Sequence, residues 1–111
     1  MANEVKIWVD DVRPAPVGYI HCYTTNEAKL VIQNLEALKA IMSHDNLPSV
    51  VLLDLDHDAG DYAQYGGDYI EILKWLEKQD YDIPIRLHTM NVVGRENMKR
   101  IIWRNNWKEV L

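Results

Sequence analysis

The sequence has few of the features that mark secreted, membrane-spanning or nucleic-acid-coating proteins. It contains one cysteine, Cys22, which excludes an internal disulfide and favours a reducing compartment. It has no apolar run near the roughly 20 residues of a membrane-spanning helix, and its first residues lack the pattern of a signal peptide. Positive charge is also scarce, because 12 Lys and Arg stand against 17 Asp and Glu. The net charge of −5 argues against a broad nucleic-acid surface. We therefore expect a cytoplasmic protein without membrane contact.

Several common catalytic motifs are absent from the sequence. It has no P-loop, no GxGxxG fingerprint and no nucleophile elbow, which argues against the enzymes that carry these motifs. Cys22 lies in a strand-like run without a basic neighbour, so a catalytic thiolate is not expected. The length of 111 residues, with 48% hydrophobic and 26% charged residues, is typical of a single globular domain over residues 1–111.

Strand-like and helix-like patterns alternate along the chain. Strands are predicted at residues 5–12, 19–25, 49–56 and 82–91, and the third, "SVVLLDLD", is apolar enough to be covered on both faces. Helical spacing follows the Thr24/Glu27 pair as far as about Met42, follows the Asp68/Glu71 pair, and returns at residues 94–107. This alternation predicts a parallel α/β sheet. The expected strand core consists of Ile7, Val9, Val51, Leu53, Ile85 and Leu87.

Polar residues stand where three of these predicted strands end. The pair Asp10 and Asp11 ends the first strand, residues 54–58 end the third, and residues 88–91 end the fourth. Because the carboxyl ends of parallel strands share one edge of the sheet, and ligands bind at that edge, we expect these residues to converge on one site.

The acidic residues at the strand ends are candidate ligands for a divalent cation such as Mg²⁺. The alternative for the first pair is a solvated strand end or an ion pair with Arg13. Asp54 and Asp56 share a face if the third strand continues that far, and Asp56 is favoured because it lies nearer the loop. Asp58 caps the loop in the alternative interpretation. The predicted metal ligands are Asp10, Asp11, Asp54, Asp56 and Asp58.

Two histidines, His57 and His88, also fall at the strand ends. Imidazoles titrate near neutral pH, so a pair of them can act as acid and base. They could equally be metal ligands, and a histidine near a strand end is often a hydrogen-bonded core residue. The predicted catalytic residues are His57, His88 and Asp56.

The start of the last predicted helix is a candidate phosphate site. The free amides of a helix start attract anions, and Arg95 adds donors suited to phosphate. The alternative is an ordinary helix start capped by Asn91 or Asn97. The predicted phosphate-binding residues are Arg13, Thr89, Asn91, Gly94, Arg95 and Asn97.

The segments "DDVRP", "LDHDAG" and "HTMNVVGRENM" resemble the cyclic-phosphate processing receiver-like family, a divergent branch of the response-regulator receiver domains. The resemblance covers nearly the whole chain. It implies a receiver-like (flavodoxin-like) α/β fold of bacterial type, a three-layer sandwich with a four-stranded, mostly parallel sheet in the order 2-1-3-4. Two departures are expected from a standard receiver: the first helix is missing, and so is the fifth strand with its lysine.

The function that the resemblance implies is phosphate processing. The predicted activity is that of a cyclic phosphodiesterase or phosphoesterase acting on a cyclic or terminal phosphate, with a small phosphorylated molecule or an RNA end as substrate. The sequence leaves open a second function, a non-catalytic signalling or binding module that takes up a divalent metal or a phosphoryl group. In both cases Asp11, Asp56 and His88 should face one pocket, with Arg95 at its rim.

Overall fold

The computed structural model describes residues 4–41 and 49–111. Its elements are β1 (Glu4–Val9), β2 (Tyr19–Cys22), α1 (Thr25–Ile41), β3 (Ser49–Leu55), a short 3₁₀ helix (Gly60–Gln64), α2 (Ile70–Gln79), β4 (Ile85–Leu87), α3 (Val92–Arg104) and β5 (Glu109–Val110). Met42, the predicted end of the first helix, lies outside the described residues. Within those residues, the helices are all too short or too polar to cross a membrane.

The strands form one parallel sheet in the order β2-β1-β3-β4-β5. The predicted order of the first four strands is confirmed, whereas the predicted absence of a fifth strand is wrong. Strand β5 has only two residues, and Glu109 pairs with Ile85 of β4. A strand of that length is too short to show an alternating pattern, which is why the sequence does not reveal it.

The receiver-like α/β fold is confirmed, but the described residues form two layers instead of three. Helix α2 packs between α1 and α3, and all three helices contribute to one hydrophobic core. The connections from β2 to β5 all step in the same direction along the sheet, so right-handed crossovers place their helices on one face. The β1–β2 connection is a loop, so within residues 4–41 and 49–111 no helix covers the opposite face.

The core lies between this layer of helices and the sheet, and one predicted member is misplaced. Strand β1 pairs Val5 with Val50 but Lys6 with Leu52, so Val51 is an extra residue at a bulge. As a result Val50 is buried and Val51 only half-buried. The strand core that the structure shows consists of Ile7, Val9, Cys22, Val50, Leu53, Leu55, Ile85 and Leu87.

The helix starts were predicted from capping pairs, with different outcomes. The Thr24 hydroxyl accepts a hydrogen bond from the Glu27 amide at 2.9 Å, as the cap before α1 requires. The Asp68 cap is wrong, because α2 begins at Ile70 without a side-chain cap. The Asp68 carboxylate accepts from the Ala59 amide instead, at 3.0 Å, and so ties the loop after β3 to the start of α2.

Candidate functional site

His88 lies at the carboxyl edge of the sheet and is largely enclosed by its neighbours. Its Nδ1 lies 2.7 Å from an oxygen of Asp54, and its Nε2 lies 2.9 Å from an oxygen of Asp10. The ring stacks on Trp8, with the ring centroids 3.8 Å apart, and only 9% of the side chain is exposed. An ionised carboxylate can only accept, so both bonds form together when both ring nitrogens carry protons. His88 therefore works as a clamp between two strands.

Asp54 belongs to this clamp and is separate from the other acids. It is fully buried, and its second oxygen lies 3.4 Å from a guanidinium nitrogen of Arg86 on β4. The bulge places Trp8, Asp54 and Arg86 side by side on the helix-free face. The partners of Asp54 are thus a histidine and an arginine, and the structure does not bring it together with the other predicted metal ligands.

Asp10 connects the clamp to the loop that follows β1. Burial acts to raise the pKa of its carboxyl, but donors outweigh burial and the pKa is lowered. These donors are the amides of Arg13 and Val12, each 2.9 Å from Oδ1, and the ring of His88. Asp10 is therefore ionised at neutral pH.

Three carboxylates form what we call the acid cluster, Asp10, Asp11 and Asp56. Each contributes an oxygen, and these oxygens lie within 4.8 Å of one another. Strand β3 ends at Leu55, and the Asp56 amide bonds to the Val9 carbonyl at 3.0 Å, which brings the Asp56 side chain to the acid pair. Burial, followed by the neighbouring charges of Asp10, Asp56 and Asp58, raises the pKa of Asp11. Three carboxylate oxygens that repel one another are suitable ligands for a divalent cation.

The second histidine, His57, follows Asp56 in the sequence and lies against α3. The Nδ1 of His57 lies 2.8 Å from an Asp58 oxygen, and the Asn91 amide group approaches both residues at 3.3–3.4 Å. The bond to His57 is the main reason that the pKa of Asp58 is lowered. A Cβ at Gly94 would lie 2.5 Å from the His57 ring, so the ring packs on the backbone of α3. Among the described residues, hydrogen bonds to the His57 ring involve Nδ1 alone.

Most of the predicted phosphate residues lie near this region, but several of their groups already have partners. Asn91 caps α3, because its side-chain oxygen accepts from the Gly94 amide at 2.9 Å. The backbone amide of Asn91 donates to the Thr89 hydroxyl at 3.1 Å. A guanidinium nitrogen of Arg13 donates to the His88 carbonyl at 3.2 Å. The Arg95 amide donates to the carbonyl of the cap residue at 2.8 Å.

Asn97 is the predicted phosphate residue that the structure separates most clearly from the others. It lies on an exposed part of α3, where its side chain accepts from Arg100 at 3.2 Å. Of the two predicted caps, Asn91 and Asn97, the structure confirms Asn91.

Two aromatic residues at the site were missed by the sequence analysis. Trp8 covers His88, and its indole nitrogen donates to the Arg13 carbonyl at 3.0 Å, which holds the loop after β1. His21 bonds through Nε2 to the Asp10 carbonyl at 2.8 Å. The alternation of β1 carries a usable signal, because Trp8 and Asp10 are two residues apart on one face. Nothing in the sequence marks the contact of His21.

Comparison with known proteins adds one match. A family model described as the cyclic-phosphate processing receiver domain matches residues 5–104. Neither the curated proteins nor the solved structures contain a match. The matched range includes both histidines, the acid cluster and the start of α3.

Proposed function

The chain belongs to the cyclic-phosphate processing receiver family, and on that premise we propose that it is a phosphoesterase that opens cyclic phosphates. The proposed substrate is a 2′,3′-cyclic phosphate, either in a small molecule or at an RNA end. The observation that carries the proposal is the acid cluster beside His57, whose backbone amide donates to the Asp56 carboxylate at 2.8 Å, at the edge where parallel sheets bind ligands.

His57 is the proposed proton-transfer group. In the reaction a water oxygen bonds to phosphorus, one ester P–O bond breaks, and the leaving oxygen gains a proton. The bond between Nδ1 and Asp58 orients the ring, so Nε2 can take the proton from water and pass it to the leaving oxygen. The contact with Gly94 fixes the position of the ring against α3.

The acid cluster is the proposed site for a divalent cation, held by Asp10, Asp11 and Asp56. Bound there, a cation such as Mg²⁺ would neutralise the charge of the phosphoryl oxygens. Without a cation, these carboxylates would repel an anionic substrate. Arg13 and Arg95 are the proposed donors to the phosphate oxygens at the rim.

His88 has a different role in this proposal from the one expected at first. Both of its ring nitrogens face carboxylates, so it is proposed as a positioning residue that holds Asp10 in the acid cluster. Only His57 transfers protons. A variant of His88 should therefore lose activity together with stability, whereas a variant of His57 should lose activity alone.

The test is hydrolysis of 2′,3′-cyclic AMP, followed by phosphorus NMR with Mg²⁺ and with EDTA. We expect turnover with Mg²⁺, a loss of about 10²-fold or more in His57→Gln, and a loss in Asp11→Asn. The matched control is Asp61→Asn, because Asp61 is an exposed acid of the 3₁₀ helix. Absence of turnover in every metal condition would refute the proposal. A phosphoryl adduct that intact-mass analysis detects after incubation with acetyl phosphate and Mg²⁺, and that is lost in Asp54→Asn or Asp56→Asn, would favour the non-catalytic module.

A further inference from the structure

A pocket outside the acid cluster opens between the start of α1 and the 3₁₀ helix. Its volume is about 360 Å³, within the range of small-molecule sites. Its lining combines apolar surface with a few polar groups, and the lining residues are Thr24, Asn26, Glu27, Leu30, Tyr62 and Tyr65. Tyr62, Tyr65 and Leu30 are exposed to solvent. Exposed aromatic rings around a pocket of this size are suited to holding a flat ligand.

The 3₁₀ helix links the pocket to the acid cluster. Gly60 begins this helix, and a Cβ at Gly60 would lie 2.5 Å from a carboxylate oxygen of Asp11. Tyr62 is two residues further on, about 4 Å along a 3₁₀ helix. One element therefore borders both the acid cluster and the pocket.

A second connection runs through stacked rings. His21 bonds to the Asp10 carbonyl and stacks on Tyr23, with centroids 4.0 Å apart, and Tyr23 contacts Tyr62, with centroids 5.8 Å apart. The Tyr23 backbone is fixed in turn, because the buried Tyr69 hydroxyl donates to its carbonyl at 2.8 Å. A series of neighbouring rings thus links Tyr62, in the lining of the pocket, to Asp10 of the acid cluster.

The polar groups of the pocket restrict the charge of its occupant. Glu27 lies in the lining, and Asp11 lies beyond Gly60, so a second anionic group would be repelled here. A neutral aromatic ring meets no such penalty. The side chains of Asn26 and Glu27 can also accept hydrogen bonds from amino groups at the edge of such a ring.

We propose that this pocket binds the base of a nucleoside cyclic phosphate whose phosphate lies at the acid cluster. The inference rests on the proposed function, and it narrows the substrate class from cyclic phosphates in general to nucleotides. The base stacks on Tyr62 and Tyr65. An amino-bearing base such as adenine donates to the polar edge of the pocket.

The experiment compares 2′,3′-cyclic AMP with the 2,3-cyclic phosphate of 1-O-methyl ribose, which has no base. The wild-type chain should have a kcat/KM about tenfold or more higher for the nucleotide, the size of one stacking contact. Tyr62→Ala should remove this preference, so that the kcat/KM of the variant for the nucleotide falls to its value for the base-free compound. Trp103→Ala is the matched control, because Trp103 is an exposed aromatic at the far end of α3, and it should keep the preference.

The outcomes separate this inference from the proposed function. Equal turnover of both compounds by the wild type, or a preference that survives in Tyr62→Ala, would overturn the base subsite and leave the phosphoesterase standing. If neither compound is hydrolysed, the phosphoesterase fails, and adenosine binding is then measured by NMR. Saturable shifts of the Tyr62 and Tyr65 ring signals, lost in Tyr62→Ala, would support the pocket. No shifts, or shifts that depend on protein concentration alone, would overturn it.

Discussion

The contact between His57 and Gly94 allows a stability test that needs no substrate. An alanine Cβ at position 94 would lie 2.5 Å from Cγ and Cδ2 of the ring and 2.8 Å from Nδ1. Ordinary carbon contacts lie at about 3.5–4.0 Å, so the ring must move by about 1 Å. Overpacking of this kind costs about 1–3 kcal/mol. Replacing a helical glycine by alanine, in contrast, gains about 0.5–1 kcal/mol. Gly94→Ala should therefore be neutral to destabilising by about 2 kcal/mol.

A double-mutant cycle isolates the cost of the ring contact. His57→Ala removes all three ring atoms that the new Cβ would meet. In that background Gly94→Ala should stabilise the chain by the helix gain alone. The coupling free energy between the two positions should then equal the overpacking cost, about 1–3 kcal/mol. Val93→Ala is the control, because Val93 is an exposed neighbour in the first turn of α3 and should show no coupling to His57.

The assay is urea unfolding of the wild type, the two single variants and the double variant, followed by circular dichroism. Hydrolysis of 2′,3′-cyclic AMP by Gly94→Ala adds a second measurement. A ring displaced by about 1 Å should lower its kcat by about 10²-fold. If Gly94→Ala stabilises the wild type and the His57→Ala variant equally, the ring does not pack on this glycine, and the proposed placement of His57 is wrong.

Three further predictions concern other titratable side chains. Asp11→Asn should raise the Tm at pH 7, because the raised pKa of Asp11 makes its ionised form unfavourable in the folded chain. In thermal unfolding, the gain in Tm over the wild type should shrink as pH falls, and saturating Mg²⁺ should reduce this gain. Glu77→Gln should lower the Tm at neutral pH, because Arg104 and an amide donor lower the pKa of Glu77 to about 2; the difference should fade between the unfolded pKa of 4.5 and pH 2. His88→Ala should destabilise the chain by about 3–5 kcal/mol in urea, because it leaves the fully buried Asp54 without its closest partner.

The convergence of polar residues at one edge of the sheet could be predicted from the sequence. Strands interrupted by helical patterns require parallel pairing, and parallel pairing places all the carboxyl ends together. The sequence does not show where each strand stops. Strand β3 ends at Leu55, one residue before the prediction. This early end separates Asp54, which faces His88, from Asp56, which joins the acid cluster.

The features that the sequence does not reveal depend on contacts between residues far apart in the chain, or belong to very short elements. The bulge at Val51 depends on how β3 pairs with β1, and no local pattern encodes pairing. Strand β5 is too short to have a period. Asp68 has the spacing of a helix cap, but its carboxylate accepts from the Ala59 amide instead. A tertiary contact therefore overrides a local preference.

The role of His88 shows why a list of residue types does not give a mechanism. Two histidines at adjacent strand ends suggest an acid and a base, and the sequence offers no reason to separate them. The difference comes from their surroundings. His88 lies between Asp54 and Asp10 under Trp8, all brought together from three strands.

The two histidines differ in what holds them, and this difference suits the proposed reaction. His88 has both nitrogens bonded and a flat ring stacked on Trp8, so moving it would break two contacts with carboxylates at once. His57 is held through one nitrogen and by the backbone of α3. A group that must give and take protons needs one nitrogen without a fixed partner, whereas a group that keeps a carboxylate in place needs none. In the proposed mechanism the fixed histidine therefore holds Asp10 in the acid cluster. His57, whose ring bonds to the described residues through Nδ1 alone, is the proposed proton-transfer group.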